Sequence, residues 1–397
     1  MKIYAQHGHG EGEKISIGLQ DDFIQGVIFS PRNITPTKLQ NKLTDLKSQY
    51  PQAELLLDPQ YYTCFMGSKP NLNIGKLSEY QTHYFSFETK SKLEIEKNVS
   101  AVLQKSNEYQ HHLPLSAIIT PNIFISNSFD SREGVIAKNF IRLAKANYLA
   151  SSRRKPLYCS IVISSEALKN LTDVQEFLND LTVMDDPPDG FYLLVHFNNS
   201  EARAEIFNPD VIASWMLFNY SLKINGYNTI NGYSDLISPF LGAVGADVCC
   251  SGWYSNLRTF SLERFAPANT GGQLPIQRYL SAALLNRITF YELEAVRRVV
   301  PEVINNLDTD TYFKEGGDEP ERNKEVLQTW EALKFINEKF TDRNIINNMN
   351  KLNAHIDNAS ELYLRINRVL QLHIKSNSDH LEPLKYAIEK FRKIAEI

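Results

Sequence analysis

Two acidic residues and a group of aromatic residues are the candidates for catalysis and substrate binding in this sequence. Asp58 directly follows the apolar run AELLL and precedes Pro-Gln-Tyr-Tyr, and Glu88 follows the aromatic run HYFSF. A carboxylate at the end of a buried strand can transfer protons or stabilise a cationic transition state. Capping of the next turn is the alternative for Asp58, and a solvated loop position is the alternative for Glu88. We predict that both acids are catalytic.

The elements that would position these acids alternate between strand and helix along the chain. Short β-branched runs predict strands, and the stretches between them have apolar residues at helical spacing. Thr35 followed by Pro36 is typical of a helix start. Eight strands with intervening helices predict a (β/α)8 TIM-like barrel of the α/β class. The predicted strands are 26–30, 53–58, 83–87, 115–120, 157–163, 191–197, 227–232 and 246–251.

An open doubly wound sheet is the alternative architecture. No Gly-x-Gly-x-x-Gly loop follows the first predicted strand, which runs into SPRNITP instead, so the barrel is preferred. From residue 274 onward we predict no further strands. We therefore divide the chain into a catalytic barrel at 1–273 and a C-terminal helical domain at 274–397, with residues 277–300 read as helical.

Barrels of this type carry their active sites at the C-terminal ends of the strands. We therefore select the polar and aromatic residues that follow the predicted strands as substrate-binding residues. Arg258 follows the last predicted strand, where such a barrel would hold an anion. Several aromatic residues around one mouth suit a flat ligand held by stacking. The predicted substrate-binding residues are Arg32, Asn33, Tyr61, Tyr62, Asn122, Glu166, His196, Trp253, Tyr254 and Arg258.

Composition narrows the class of protein. The chain has 397 residues, 43% of them hydrophobic, and a net charge of −4, which argues against a protein that simply coats nucleic acid. The four cysteines lack metal-type spacing and His196 is nearly alone among the strand ends, so we predict no metal and no cofactor. No apolar segment is long enough to span a bilayer, so we expect a cytoplasmic protein without a membrane partner.

The order of motifs resembles the tRNA-guanine transglycosylase-like barrels over about residues 27–258. LLLDPQYY matches the strand that ends in the family's catalytic acid, which would be Asp58, and PLYCSIVISSEAL is similar to its base-reading segment. GAVGADVCCSGWYSNLR is similar to the Gly-x-Asp turn, with Gly245 and Asp247 in place. The resemblance implies a barrel that acts on the N-glycosidic bond of a base in a nucleic acid.

The chain departs from that family in ways that change the expected reaction. The position of the family's nucleophilic aspartate falls near Cys250, and its zinc site is absent. We therefore expect a DNA glycosylase that acts on a modified base in anti-phage defence, with DNA favoured over tRNA as partner. Three alternatives stay open: a base-exchange enzyme of tRNA, a non-catalytic barrel that binds nucleic acid or protein, and a metal-dependent hydrolase.

Overall fold

Two sheets account for the strands of the protein. The structure is a computed structural model that describes residues 1–69, 71–148, 155–267 and 275–397. Nine strands form one parallel sheet, and the last two form an antiparallel hairpin. The strands are β1 (Lys2–Gln6), β2 (Gly26–Phe29), β3 (Glu54–Leu57), β4 (Ile118–Ile119), β5 (Phe124–Ile125), β6 (Leu157–Ser164), β7 (Gly190–His196), β8 (Asn228–Asn231), β9 (Val248–Ser251), β10 (Arg278–Ser281) and β11 (Asn286–Thr289).

The large sheet is a nearly closed barrel. Its order is β3-β2-β1-β9-β8-β7-β6-β4, and β5 also pairs with β6, so β4 and β5 are two pieces of one strand interrupted near Pro121. The two ends meet where Ser116 N donates to Leu55 O over 2.8 Å. All residues of β2 and β7 are buried, as expected for parallel strands covered on both faces. The prediction of a (β/α)8 TIM-like barrel is confirmed.

Helices cover the outside of this barrel and continue beyond it. Thr35 Oγ1 accepts a hydrogen bond from Lys38 N at the start of the helix that begins at Pro36, as its sequence predicts. The helices are α1 (Lys14–Gln20), α2 (Pro36–Gln49), α3 (Lys90–Leu93), α4 (Glu96–His111), α5 (Arg132–Tyr148), α6 (Ser165–Leu168), α7 (Leu171–Thr182), α8 (Arg203–Ile206), α9 (Pro209–Ile224), α10 (Ser238–Ala243), α11 (Ser255–Arg258), α12 (Phe290–Val299), α13 (Arg322–Glu338), α14 (Ile345–Asn367) and α15 (Leu381–Ile394).

The strand count was predicted correctly through two errors that cancel. The first barrel strand is β1, which we did not predict because Lys2 and Gln6 break its apolar pattern; Gln6 is nevertheless fully buried. Residues 83–87 are not a strand. Tyr84 N and Phe85 N both donate to Tyr80 O, which fixes this segment in a local turn. Tyr84 and Phe85 are buried in the core without joining the sheet, whereas Phe87 is exposed.

The C-terminal region differs from the expected helical domain. Residues 278–289, predicted as helix, form the β10–β11 hairpin, whereas α12, α13, α14 and α15 are helical as predicted. Tyr279 and Ile288 pair across the hairpin, and the hairpin packs against α13, where Gln328 Nε2 donates to Leu280 O over 2.9 Å. The predicted boundary at 273–274 lies outside the described residues. Trp330 on α13 donates to Ser251 O, so this region packs directly on the barrel.

Candidate functional site

Asp58 lies at the C-terminal end of β3, in a buried group of phenols and guanidinium groups. Its Oδ1 accepts from Gln60 N at 3.0 Å, and its Oδ2 accepts from the Tyr62 hydroxyl at 3.1 Å. Arg264 donates through Nη1 to the hydroxyl of Tyr233, and both of these residues are buried and electrostatically coupled to Asp58. The carboxyl group is only 1% exposed and therefore has no direct contact with solvent.

Burial controls the protonation of this group. Removal from water raises the pKa of Asp58 to about 6, although hydrogen bonds from Gln60 and Tyr62 and the charge of Arg264 act in the opposite direction. Burial and then the charge of Asp58 also raise the pKa of Tyr62 well above its usual range. Asp58 can therefore change its protonation state near neutral pH, whereas the phenols around it stay neutral.

Arg32 and Asn33, which follow β2, lie beside this group. The Arg32 guanidinium carbon is 5.5 Å from the centroid of the Phe265 ring, and Arg32 N donates to the side chain of Gln60. Asn33 donates to Ser30 Oγ over 3.0 Å. Burial and the nearby Arg264 lower the pKa of Arg32. The structure thus brings Arg32 and Asn33 together with Asp58 and Tyr62, as expected for neighbouring strand ends.

An apolar cavity of about 470 Å³ opens next to this group, between the strand β5 and the loops that follow β3, β7 and β9. Phe124, His196 and Phe265 line it, and the rings of Phe124 and His196 are 4.9 Å apart. Phe265 also contacts the ring of Tyr62, the hydrogen-bond donor to Asp58. Phe265 and Tyr62 therefore lie between this apolar cavity and the buried carboxyl group.

His196 lines the apolar cavity together with three other polar residues, Lys69, Asn198 and Glu263. Burial lowers its pKa to about 4, so the ring is neutral at pH 7. Its Nδ1 is buried and has no hydrogen-bond partner among the residues that the structure describes. A neutral imidazole with an unused nitrogen can exchange one hydrogen bond with a flat polar ligand.

A second, cationic cavity of about 260 Å³ lies between the loops after β8 and β9 and the C-terminal region. Trp253, Tyr254 and Arg258 all line it, so three predicted residues converge here. Six cationic side chains in total face the cavity: Arg203, Arg258, Arg278, Arg287, Arg322 and Lys375. The sequence identified Arg258 alone because the others lie on α8, on the hairpin and in the C-terminal helical region.

The loop after β8 lines the cationic cavity and is held in an unusual conformation. Tyr233 has φ 53° and Asp235 has φ 34°, both in a region that non-glycine residues rarely adopt. Tyr233 lines the cationic cavity and its ring packs on Phe260, which in turn packs on Tyr62 and His196. Such strain persists only where the surroundings fix the backbone, and it occurs often at functional sites.

Asp235 is a buried acid that the sequence reasoning missed. Its carboxylate receives two hydrogen bonds from Arg287, of 2.6 and 2.8 Å, and a third from Ser251 Oγ over 2.6 Å. Burial would raise the pKa of Asp235, but the charge of Arg287 outweighs it and the pKa lies below its usual value. The run NGYSD after a predicted strand was the available signal, since Gly and Asp there indicate a special turn.

Four of the predicted site residues lie away from both cavities and from the buried group around Asp58. Glu88 pairs with Lys92 at 2.7 Å in a surface loop, because the strand predicted before it does not exist. Tyr61 packs between Phe85 and Phe140 in the core, with ring centroids 6.3 and 5.9 Å away. Asn122 is buried and donates to Ser160 O. Glu166 lies on the surface and pairs with Lys169.

The N-terminal segment also reaches the mouth of the barrel. His7 follows β1, is buried, and approaches Glu11 to 3.2 Å through Nε2, while Trp253 Nε1 donates to His9 O over 2.7 Å. Burial opposes ionisation of Glu11, but His7 and Lys42 bond to it and lower its pKa to about 2. We did not select His7 as a site residue because β1 was not predicted, so His7 seemed to lack neighbours.

Three features of the described residues concern metal binding, thiol chemistry and membrane insertion. Among residues 1–69, 71–148, 155–267 and 275–397, no three His, Cys, Asp or Glu side chains are grouped so as to hold a metal ion. Burial raises the pKa of the Cys250 thiol well above its usual value, so this residue is not a thiolate nucleophile. Within the same residues, no helix has both the length and the apolar character needed to cross a membrane.

Comparisons with known proteins identify no family for this chain. No family model matches the chain, and no curated protein sequence matches it. A glycoside hydrolase family 3 β-N-acetylglucosaminidase from Paenibacillus sp. str. FPU-7 is 9% identical with a TM-score of 0.44, covering 98% of this chain and 66% of that one. A fungal multi-domain β-N-acetylglucosaminidase of family 3 is 12% identical with a TM-score of 0.42, covering 91% and 42%.

Dihydrodipicolinate synthase from Oceanobacillus iheyensis is 10% identical with a TM-score of 0.22, covering 99% of this chain and 96% of that one. The chain thus spans less than two thirds of the length of the two β-N-acetylglucosaminidases. Likenesses of this size carry no argument about function. The assignment of the barrel is founded on the order and direction of the strands.

Proposed function

We propose that this protein is a cytoplasmic DNA glycosylase, which hydrolyses the N-glycosidic bond of a modified base in DNA as part of anti-phage defence. The observation that carries the proposal is Asp58: a carboxyl group with a pKa of about 6 at the catalytic end of the barrel, bonded to Tyr62 beside the apolar cavity. The resemblance of LLLDPQYY to the transglycosylase-like barrels supports the same role for Asp58.

The proposed reaction needs no bound cofactor. Water adds to the sugar carbon C1′, the bond from C1′ to the base nitrogen breaks, and the base leaves with the electron pair and a proton. The transition state resembles an oxocarbenium ion, which the ionised Asp58 stabilises. Asp58 accepts the proton that the attacking water loses and returns it to the solvent, from which the departing base takes its proton, so the net reaction consumes one water molecule. Above its pKa of about 6 the group is ionised and available for both roles.

The apolar cavity receives the extruded base in this proposal. Phe124 and Phe265 offer aromatic surfaces for stacking, and the unpaired Nδ1 of His196 offers a hydrogen bond. Arg32, beside Phe265, contacts the backbone of the DNA. Because Asp58 is 1% exposed, the reaction requires that the entering nucleotide displace Tyr62 or Phe265.

The test compares DNA that carries ordinary bases with hypermodified phage DNA. We expect wild-type protein to generate aldehyde-reactive abasic sites on modified DNA, and Asp58→Asn to lose this activity by at least about a hundredfold. Asp310→Asn is the control, because Asp310 is a half-buried acid that also accepts from a tyrosine hydroxyl, at 2.8 Å from Tyr279, but lies in the C-terminal region. Equal yields from wild type and Asp58→Asn on every substrate would exclude the proposal.

The burial of Asp58 favours a second candidate, a barrel that binds nucleic acid without chemistry. This candidate predicts that DNA binding in a mobility-shift experiment is unchanged in Asp58→Asn and that no substrate yields abasic sites. The proposed glycosylase requires the opposite result in the abasic-site experiment. The two functions are therefore separated by one pair of measurements on the same two proteins.

A further inference from the structure

We infer that the cationic cavity is a binding site for a phosphate group, built jointly by the barrel loops and the C-terminal region. The inference depends on the charges around the cavity and does not require the proposed glycosylase reaction. Among the described residues, six cationic side chains line the cavity, against three carboxylates, Glu201, Asp235 and Glu325. Asp379, outside the lining, pairs with Arg203, so an excess of two positive charges remains, for which an oxyanion is the matching ligand.

The ion pairs around the cavity leave two arginines without acidic partners. Arg203, Arg258, Arg287 and Lys375 each pair with a carboxylate: Asp379, Glu325, Asp235 and Glu201. Arg278 and Arg322 form no ion pair within the described residues. Arg278 bonds to neutral groups, namely Arg287 O, Ser376 Oγ and His373 Nδ1, and Arg322 donates to Pro275 O over 2.7 Å.

Arg287 provides the second, independent sign of a ligand. Its side chain is 9% exposed, and its Nε is buried without a hydrogen-bond partner among the described residues, although both terminal nitrogens bond to Asp235. A buried guanidinium N–H that has no acceptor costs free energy. Burial and the neighbouring Arg287 also lower the pKa of Arg258, which shows that these cations repel each other.

The place of the cavity in the fold is consistent with this ligand. It opens at the C-terminal ends of β8 and β9, beneath the loops that carry Tyr233 and Trp253. Arg278 and Arg287 belong to the hairpin β10–β11, and Arg322 begins α13. The barrel alone would supply only Arg258 and Arg203 of the six cations, so the C-terminal region has a role in binding as well as in packing.

Calorimetric titration with inorganic phosphate and with a short DNA duplex tests the inference. We expect wild-type protein to bind at least one of the two, and Arg278→Gln and Arg322→Gln each to weaken that binding by at least about tenfold. The slope of log affinity against log salt for the duplex should also fall by about one for each arginine removed. Arg142→Gln is the control, because Arg142 pairs with Glu96 on the outer helices and does not line the cavity.

The two probes distinguish the source of the phosphate. Binding of inorganic phosphate indicates a site for a free phosphate or a phosphate monoester, whereas binding of the duplex alone indicates a phosphodiester backbone. The inference is wrong if wild type binds neither probe, or if both arginine variants bind as wild type does. Loss of binding in the arginine variants together with normal formation of abasic sites would leave the proposed reaction intact. Normal binding together with no formation of abasic sites would leave the phosphate site intact.

Discussion

Asp58 and Asp235 are buried acids that follow strands β3 and β8, yet their surroundings favour opposite protonation states. Asp58 accepts from a phenol and a backbone N–H, and burial raises its pKa to about 6. Asp235 receives two hydrogen bonds from Arg287, and its pKa lies below the usual value. Both acids are buried, so burial alone does not explain the difference between their pKa values. A direct cationic partner keeps Asp235 ionised, whereas Asp58 has none among the described residues and can transfer a proton near neutral pH.

Removing the acid of the ion pair should have the largest effect on stability. Asp235→Asn leaves the guanidinium of Arg287 buried without a counter-charge, so we expect a loss of about 3–5 kcal/mol in the free energy of unfolding. Urea denaturation at pH 7 measures it. Asp180→Asn, at a surface pair 2.7 Å from Lys138, should cost less than about 1 kcal/mol. Similar losses for the two variants would contradict the importance of the pair.

Replacing the acid with the raised pKa should have a smaller effect of opposite sign. Between about pH 4 and pH 6 the native state binds the proton of Asp58 that the unfolded state has lost, so this group makes the protein less stable as pH rises through that window. We expect Asp58→Asn to gain about 1–3 kcal/mol relative to wild type between pH 4 and pH 8. Denaturation of both proteins at the two pH values measures this gain.

Asp180→Asn again serves as the control for that experiment, since Asp180 is an exposed acid in a surface pair. It should show no such gain with rising pH. If the difference between wild type and Asp58→Asn were the same at pH 4 and pH 8, the pKa of Asp58 would not be raised. The contrast with Asp235 would then be lost.

Acid should weaken the ion pair of Asp235. Because its folded pKa is lowered, the stabilisation is complete above the unfolded value of about 4 and disappears as pH falls through the folded value. The stability difference between wild type and Asp235→Asn should therefore shrink as the pH falls from 7 to 2.5. Guanidinium denaturation at a series of pH values follows this change, and a constant difference would contradict it.

The smallest expected effect concerns the phenol beside Asp58. Tyr62→Phe removes a hydrogen bond to the ionised carboxylate, so the pKa of Asp58 should rise further, at a cost of about 1 kcal/mol in stability. NMR titration of ¹³C-labelled aspartate carboxyls measures this shift. Tyr84→Phe is the matched control, because the Tyr84 hydroxyl is also buried but bonds to Pro59 O. An equal shift in both variants would mean that the bond from Tyr62 is not the cause.

Much of the barrel could be predicted from local patterns, whereas its site could be predicted only in part. Seven of the strands that we placed coincide with barrel strands, because β-branched runs mark buried parallel strands. We did not predict β1 because its apolar run is short and lies between Lys2 and Gln6. The hairpin β10–β11 was read as helix because Leu and Ala near its turn also suit a helix. Short segments of this kind are decided by their partners in the fold.

The candidate site shows the same division. Asp58, Arg32, His196, Trp253 and Arg258 follow strands that were correctly placed, and all of them lie in the buried group or line a cavity. Glu88 was selected from a strand that does not form, and its role as a catalytic acid beside Asp58 has no geometric support. A site residue can be predicted from its position after a strand only where that strand forms.

The alternation of strands and helices, the fold class and the placement of Asp58 at the end of a buried strand can all be read from local patterns. These features depend on local periodicity and on residue types that are near one another in the chain. The arrangement of Arg264 and Tyr233 beside Asp58, and the ion pair of Asp235 with Arg287, 52 residues away, depend on how distant segments pack. A pKa depends on burial and on charges a few ångströms away, and these distances are set by packing between distant segments.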